Sequence, residues 1–311
     1  MDKQSIEHAV EDLSTIDDFI RWSVSQFNTH NLFFGHGTND SWDEAVALVF
    51  SALHLPFEAS EYVRHTKLVR SEREYIADLV HRRVNERIPV PYLVNRAWFC
   101  HLEFFVDERV LIPRSPIGEM IEQEFLPWID SGSVHRVLDL CTGSGCIAIA
   151  CSYAFPDAEI DAVDISTDAL DVAQVNIEQL DCMEKVFPIQ SDVFDQIPEG
   201  VRYDVIVSNP PYVDSQDFEQ MPVEFTHEPE LALVSGRDGL HLTKRILAQA
   251  ADYLNDEGIL IVEVGDSMLQ LVNQYPEVDF NWVEFKRGGD GVFVLTKAQL
   301  IKYKTCFDIT I

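Results

Sequence analysis

Positive charge is scarce in this chain. Across 311 residues, 23 Lys and Arg stand against 53 Asp and Glu, a formal net charge of −30 at pH 7. Affinity for a nucleic-acid backbone comes largely from Lys and Arg, so a broad DNA- or RNA-binding surface is disfavoured, and so is an anionic membrane surface. A basic partner or a small molecule suits the charge better. Long apolar runs are also missing: no window approaches the ~18 consecutive apolar residues of a transmembrane helix. The first residues, Met1 to Leu13, lack the basic start and apolar run of a secretory signal. The six cysteines include no C-x-x-C pair, and Cys141, Cys146 and Cys151 follow one another at five-residue spacing, which is no zinc-ligand pattern. Buried, reduced thiols in a cytoplasmic protein are expected, with no membrane association and no metal. Internal repeats and low-complexity stretches are absent.

What is present is enough apolar residue, 46%, for a sizeable core in about two domains. Residues 1–90 read as a helical domain. Ser14 or Thr15 can cap a helix carrying Ile16, Phe19, Ile20, Val24 and Phe27 on one face. Ser41 opens a second, and Ser71 with Glu74 forms a capping-box pattern before Ile76, Leu79, Val80 and Val84. Pro89 and Pro91 are expected to stop that helix. Residues 1–100 hold 10 basic and 15 acidic side chains, and residues 101–311 hold 13 and 38. Within the first part lies a basic island, Arg64, Lys67, Arg70, Arg73, Arg82, Arg83, Arg87 and Arg96. It reads either as a solvated face with i,i+4 pairs or as a docking surface for RNA phosphates.

Residues 91–116 read as a β-hairpin linker, with Phe104, Val106, Val110 and Ile112 on short strands. Residues 117–311 then alternate strand and helix, with strands expected at 136–141, 159–165, 186–191, 203–208 and 258–264. Such alternation implies a parallel sheet covered on both faces. The end differs: runs at 282–287 and 292–296 around Gly288-Gly289-Asp290-Gly291 read as an antiparallel hairpin.

Asp139-Leu140-Cys141-Thr142-Gly143-Ser144-Gly145 is a strand end followed by a glycine loop, which lets a ligand approach the backbone at a helix start. Asp164 ends the next strand and suits ribose hydroxyls. Asp192 follows the third and suits an adenine amino group. Three acids at successive strand ends suit an adenosyl ligand. At the end of the fourth strand stands Asn209-Pro210-Pro211-Tyr212. Two prolines make a rigid extended backbone. The Asn209 side chain and the Pro210 carbonyl offer two acceptors for a planar NH2, and Tyr212 offers a stacking face.

These motifs resemble the class I S-adenosylmethionine-dependent methyltransferases, in the N-P-P-Y group that methylates planar nitrogens, and within it the glutamine N(5)-methyltransferases. Further matching stretches are Phe34-Gly35-His36-Gly37-Thr38, Ile88-Pro89-Val90, Ala97-Trp98-Phe99-Cys100, Val110-Leu111-Ile112-Pro113-Arg114-Ser115-Pro116 and Arg287-Gly288-Gly289-Asp290-Gly291. Similar enzymes acting on peptide chain release factors usually have glycine where Cys141 stands and Pro-Glu-Thr where Ser115-Pro116-Ile117 stands, which favours a ribosomal-protein substrate. The resemblance implies an α/β fold, a seven-stranded mixed Rossmann-like sheet with a reversed last strand and a small helical N-terminal docking domain. It implies S-adenosyl-L-methionine as cofactor, held by Asp139, Gly143, Gly145, Asp164, Asp192 and Asn209. It implies a target amide held by Asn209, Pro210 and Pro211 and framed by Tyr212 and Phe99. The segment His227-Glu228-Pro229-Glu230-Leu231 would lie near the substrate channel. The implied reaction is N5-methylation of a glutamine in a basic large-subunit ribosomal protein of the L-three type. Glutamine methylation of release factors and DNA adenine N6-methylation are the alternatives; the acidic catalytic half argues against the latter.

Overall fold

The computed structural model describes residues 1–56 and 59–308. The chain forms two units: residues 1–97 with 106–108 and 222–227, and the remainder of the described chain. The first is helical: α1 (Lys3–Asp12), α2 (Ile16–Thr29), α3 (Ser41–Ala52), α4 (Arg70–Asn85) and α5 (Val90–Val94). Thr15 and Asp18 cap α2 reciprocally, Asp18 accepting from the Thr15 N–H and Thr15 Oγ1 from the Asp18 N–H. α3 opens at Ser41, as expected, with Asp40 as its cap. At α4 the expected Ser71–Glu74 box does not form. Glu74 is taken by Arg70 at 2.8 Å, and Glu72 accepts from the Val69 N–H instead. Pro91 does not end a helix but sits in the first turn of α5, where its missing N–H costs nothing. Phe19, Ile20, Leu48, Ile76 and Val80 fill this unit's core.

The basic island is largely spent inside this unit. Arg83 is fully buried and pairs with Glu44 at 2.6 Å and Glu224 at 3.4 Å. Arg73 donates to the Val10 and Leu13 carbonyls, Arg87 to the His30 carbonyl and Glu224, and Arg64 pairs with Asp17. Arg70 and Arg82 make the expected i,i+4 pairs with Glu74 and Glu86.

The second unit begins at Trp98, within a two-stranded sheet of β1 (Ala97–Phe99) and β2 (Leu102–Phe104). No strand forms at Val110–Ile112. The Ile112 N–H goes to a carboxylate oxygen of Glu228 at 2.9 Å, and Pro113 has no N–H for a ladder. Then follow α6 (Ile117–Glu122), β3 (Arg136–Leu140), α7 (Cys146–Ala154), β4 (Glu159–Asp164), α8 (Thr167–Gln179), β5 (Val186–Gln190), β6 (Tyr203–Ser208), α9 (Ser215–Phe218), α10 (His241–Gln249), β7 (Leu254–Glu263), α11 (Met268–Gln274), β8 (Asn281–Trp282), β9 (Val292–Thr296), α12 (Lys297–Lys302) and α13 (Lys304–Phe307). The seven-stranded sheet runs β5-β4-β3-β6-β7-β9-β8, with β9 antiparallel to both neighbours. Alternate residues feed two cores: Val137, Ile160, Val205, Ile259 and Val294 on one face, and Leu138, Val163, Ile206, Leu260 and Phe293 on the other. The last hairpin is shorter than its sequence suggests, because the Lys286 and Arg287 N–H groups turn to Glu119. Among the described residues no helix is long and apolar enough to cross a membrane.

Removing Arg83 leaves Glu44 and Glu224 buried without their shared cation. Arg83→Ala is expected to destabilise the protein by about 3–5 kcal/mol in urea unfolding; a loss below about 1 kcal/mol would contradict a buried network.

Candidate functional site

The parallel register of β4, β3 and β6 puts three loops side by side at the carboxyl edge: Leu140 lies opposite Val163 and Ser208. A cavity opens there, lined among others by Cys141, Gly143, Ser144, Asp164, Asp192 and Asn209. Its other wall is Arg109–Leu111 and Pro113–Ser115 together with Pro229, Leu231 and Ala232.

The glycine loop is held from below by Asp139. This carboxylate is fully buried, and one oxygen accepts from Thr142 Oγ1 at 2.5 Å and from the Ala148 N–H at 3.1 Å. Burial pushes its pKa up to about 7. Gly143 and Gly145 have φ of +55° and +79°, and a Cβ on Gly143 would meet nothing within 4 Å, so the backbone there faces open space. Gly145 caps α7 and packs on Ala173. Asn176 ties the Ser144 carbonyl to Phe105. Cys141 has φ +61°, a conformation that favours glycine. Burial pushes its thiol above the ordinary range, and the Cys146 thiol up to about 12, so neither is a thiolate nucleophile at neutral pH.

Asp164 closes β4 with both oxygens directed. One accepts from the Gly143 N–H and the other from the Ser166 N–H, each at 2.9 Å. Burial raises its pKa against those bonds. Asp192 pairs with Arg245 of α10 at 2.7 Å. Its neighbour Val193 has φ +53°, a rare conformation for a β-branched residue and a strain of about 1–3 kcal/mol held where the loop meets the cavity. Ile165 and Val193 give the cavity apolar faces beside these acids.

Asn209 lines the cavity, and its Oδ1 is buried with no hydrogen-bond partner. Pro211 lines it too; Pro210 and Tyr212 are not among its lining residues. Tyr212 donates to Glu263 Oε1 at 3.0 Å.

Residues 123–273 match the family Methyltransferase small domain. A curated protein of Francisella tularensis subsp. tularensis named ribosomal protein uL3 glutamine methyltransferase is 49% identical over 306 residues, 98% of this chain and 97% of that protein. A protein of the same name from Neisseria meningitidis serogroup A is 48% identical over 295 residues, 94% of this chain and 96% of that one. The chain belongs to the ribosomal protein uL3 glutamine methyltransferase family. In shape, the catalytic domain of hMettl16 solved with MAT2A 3'UTR hairpin 1 aligns with a TM-score of 0.50 at 16% identity, covering 81% of this chain and 91% of that one. The fold is therefore that of a class I methyltransferase, as its motifs led one to expect.

In this methyltransferase family the methyl donor is S-adenosylmethionine, and the cavity fits it. Open space at Gly143 admits a ligand against the backbone, Asp164 faces the same space, and apolar Ile165 and Val193 flank Asp192 as a planar base requires. Gly143, Asp164, Asp192 and Asn209 thus line one cavity. Asp139 does not line it: its side chain is buried under the loop, where it accepts from Thr142 and Ala148. Gly145 is likewise a packing and capping residue. Phe99 is placed away from the cavity: it is buried with Phe104 and Ile117, its ring 3.1 Å from where a Cβ on Gly118 would stand. Sequence reasoning missed Glu263, Ser115 and Arg245. Only the charge inside the apolar run Ile259–Val264 hinted at the first.

Asp164→Ala is expected to weaken S-adenosylhomocysteine binding by about tenfold or more in calorimetry, the loss of a charged acceptor; an unchanged Kd would contradict the ribose role. The raised pKa of Asp139 means the folded state keeps a proton that the unfolded state releases. That contribution to stability falls as pH rises from its unfolded value of 3.8 to about 7. Asp139→Asn should therefore gain on the wild type in melting temperature across that window; a constant difference would contradict it.

Proposed function

We propose that this chain transfers a methyl group from S-adenosylmethionine to the side-chain amide nitrogen, N5, of a glutamine in ribosomal protein uL3. The observation that carries the chemistry is Asn209: a buried carbonyl oxygen without a donor, at the cavity whose far end suits an adenosyl group. Full-length similarity to the two uL3 methyltransferases supports the substrate.

An amide nitrogen is a poor nucleophile because its lone pair is delocalised into the carbonyl. S-adenosylmethionine, when bound by Gly143, Asp164 and Asp192, supplies an electrophilic methyl on sulfur. Asn209 Oδ1 takes one of the two amide hydrogens, and the Pro210 carbonyl, which is outside the cavity lining, is the acceptor the motif offers for the other, so that the nitrogen's face turns toward the cavity. Accepting from those hydrogens also stabilises positive charge as it develops on nitrogen. Positioning of this kind can supply several kcal/mol of the barrier. The methylated nitrogen is strongly acidic and loses its proton to water, so no dedicated base is required. Tyr212 frames this arrangement from behind Pro211.

We assign substrate docking to the helical residues 1–90, with 91–116 as linker and 117–311 as the methyltransferase domain. A chain of charge −30 attracts a basic ribosomal protein. The arginines of the basic island are engaged by Asp17, Glu44, Glu74, Glu86, Glu224 and carbonyls, which argues against a ribosomal RNA surface there and for a protein surface as the target.

Incubation with a labelled methyl donor, uL3 and a release factor, followed by tandem mass spectrometry, should place the label on a uL3 glutamine; label on the release factor would overturn the substrate. Asn209→Ala should cut turnover by about a hundredfold or more while leaving the S-adenosylhomocysteine Kd within about threefold. Near-normal turnover would remove the role given to Asn209.

A further inference from the structure

Glu263 ends β7 inside the apolar run Ile259–Val264, and it is 4% exposed. Burying a carboxylate is costly unless hydrogen bonds replace water. Here the two oxygens are divided between two loops. Oε1 accepts from the Tyr212 hydroxyl at 3.0 Å and Oε2 from the Ser115 hydroxyl at 2.5 Å. Ser115 lines one wall of the cavity, and Tyr212 ends the Asn209–Tyr212 stretch on the other. An alkyl side chain at 263 would fill the core more cheaply but could join neither.

Three further contacts close around Tyr212. Ser267 Oγ donates to its carbonyl at 2.7 Å. Gly265, with φ +44°, lies so close that a Cβ would stand 2.6 Å from the tyrosine ring, and Gly239 so close that a Cβ would stand 2.2 Å from its carbonyl oxygen. Gly265 is pinned in turn by Gly291, whose Cβ would fall 2.4 Å from the Gly265 carbonyl oxygen. The phenol can neither swing out nor rotate without breaking this seat. Pro210 and Pro211 make the stretch between Tyr212 and Asn209 stiff, so a displacement at Tyr212 is transmitted to the acceptors.

We propose that Glu263 is a positioning residue of the methyl-transfer reaction, holding Tyr212 and Ser115 together so that Asn209 and the cavity wall keep the spacing the amide needs. This rests on the amide-methylation reading above. Glu263 touches neither substrate nor donor, since it does not line the cavity. Arg114, next to Ser115 in the chain, is fixed separately by a two-pronged pair with Glu228 at 2.6 and 2.8 Å, so the wall holding Ser115 is itself anchored.

The test compares Glu263→Ala, Glu263→Gln, Tyr212→Phe and the double variant Tyr212→Phe/Glu263→Ala. Glu263→Ala is expected to lower kcat by about thirtyfold or more, with the KM for S-adenosylmethionine and the S-adenosylhomocysteine Kd within about threefold. Glu263→Gln, which can still accept from the phenol, should recover most of the loss. The double variant should cost no more than the worse single, the mark of one shared interaction. Hydrogen exchange of a peptide spanning 208–214 in the S-adenosylhomocysteine complex, which needs no protein substrate, should quicken in Glu263→Ala and not in Glu263→Gln. Equal losses of kcat and donor affinity, multiplicative effects in the double variant, or unchanged exchange would overturn the positioning role. Should Glu263→Ala not fold, Tyr212→Phe and Glu263→Gln carry the same comparison. Wild-type protein inactive on uL3, with the exchange difference between Glu263→Ala and Glu263→Gln still present, would overturn the substrate and leave Glu263 standing.

Discussion

A carbonyl oxygen buried without a donor is unfavourable, and Asn209 Oδ1 is such an oxygen. In the reaction proposed above, this oxygen accepts from the target amide, which would offset that cost. Around it the fold supplies rigidity rather than reactivity. The fourth strand in order, β6, delivers Asn209 from the middle of the sheet, between β3 and β7, where neighbours on both sides fix its end. Two prolines stiffen the exit, and the Tyr212 phenol is fastened to a carboxylate in the core. No ionised nucleophile or base is needed, and the cavity cysteines are held as neutral thiols.

Donor binding follows from the same sheet edge. Asp164 spends one lone pair on the Gly143 N–H and thereby links the first and second loops into one floor. Asp139, invisible from the cavity, sets the curvature of that floor through Thr142 and Ala148. Strain gathers there too, at Cys141 and Val193, both with positive φ although neither is glycine. Strain of this sort persists where surrounding contacts over-determine the backbone, and binding loops are a usual place for it.

Much of this was legible from the chain alone. Strands buried on both faces leave continuous apolar runs, so β3, β4 and β6 stand out to within a residue or so, while the exposed edge strand β5 is placed by the strand–helix alternation. The order of acids at their ends pointed at an adenosyl ligand. What stayed hidden depended on partners distant in sequence. Val110–Ile112 looks like a strand by composition, yet its Ile112 N–H is claimed by Glu228, 116 residues later. Arg83 looks like surface charge within a basic run, but Glu44 and Glu224 draw it into the core. Phe99 looks like a site aromatic, yet Gly118 opens room for its ring in the core. Glu263 carries no signal of its own partners in the sequence; only the fold brings Ser115 and Tyr212 to it.

The acidic balance now has a structural counterpart. Arg64, Arg70, Arg82, Arg83 and Arg87 of the helical unit are engaged by Asp17, Glu74, Glu86, Glu44 and Glu224, and Arg73 by backbone carbonyls, so the basic island is not left as a free cationic face. The central claim is that Asn209 holds the target amide. A crystal structure with S-adenosylhomocysteine and a uL3 segment containing the glutamine tests it most directly. The glutamine NH2 should lie within about 3.2 Å of Asn209 Oδ1, its nitrogen facing the sulfur. A glutamine bound elsewhere, with Asn209 Oδ1 still unpaired, would contradict it.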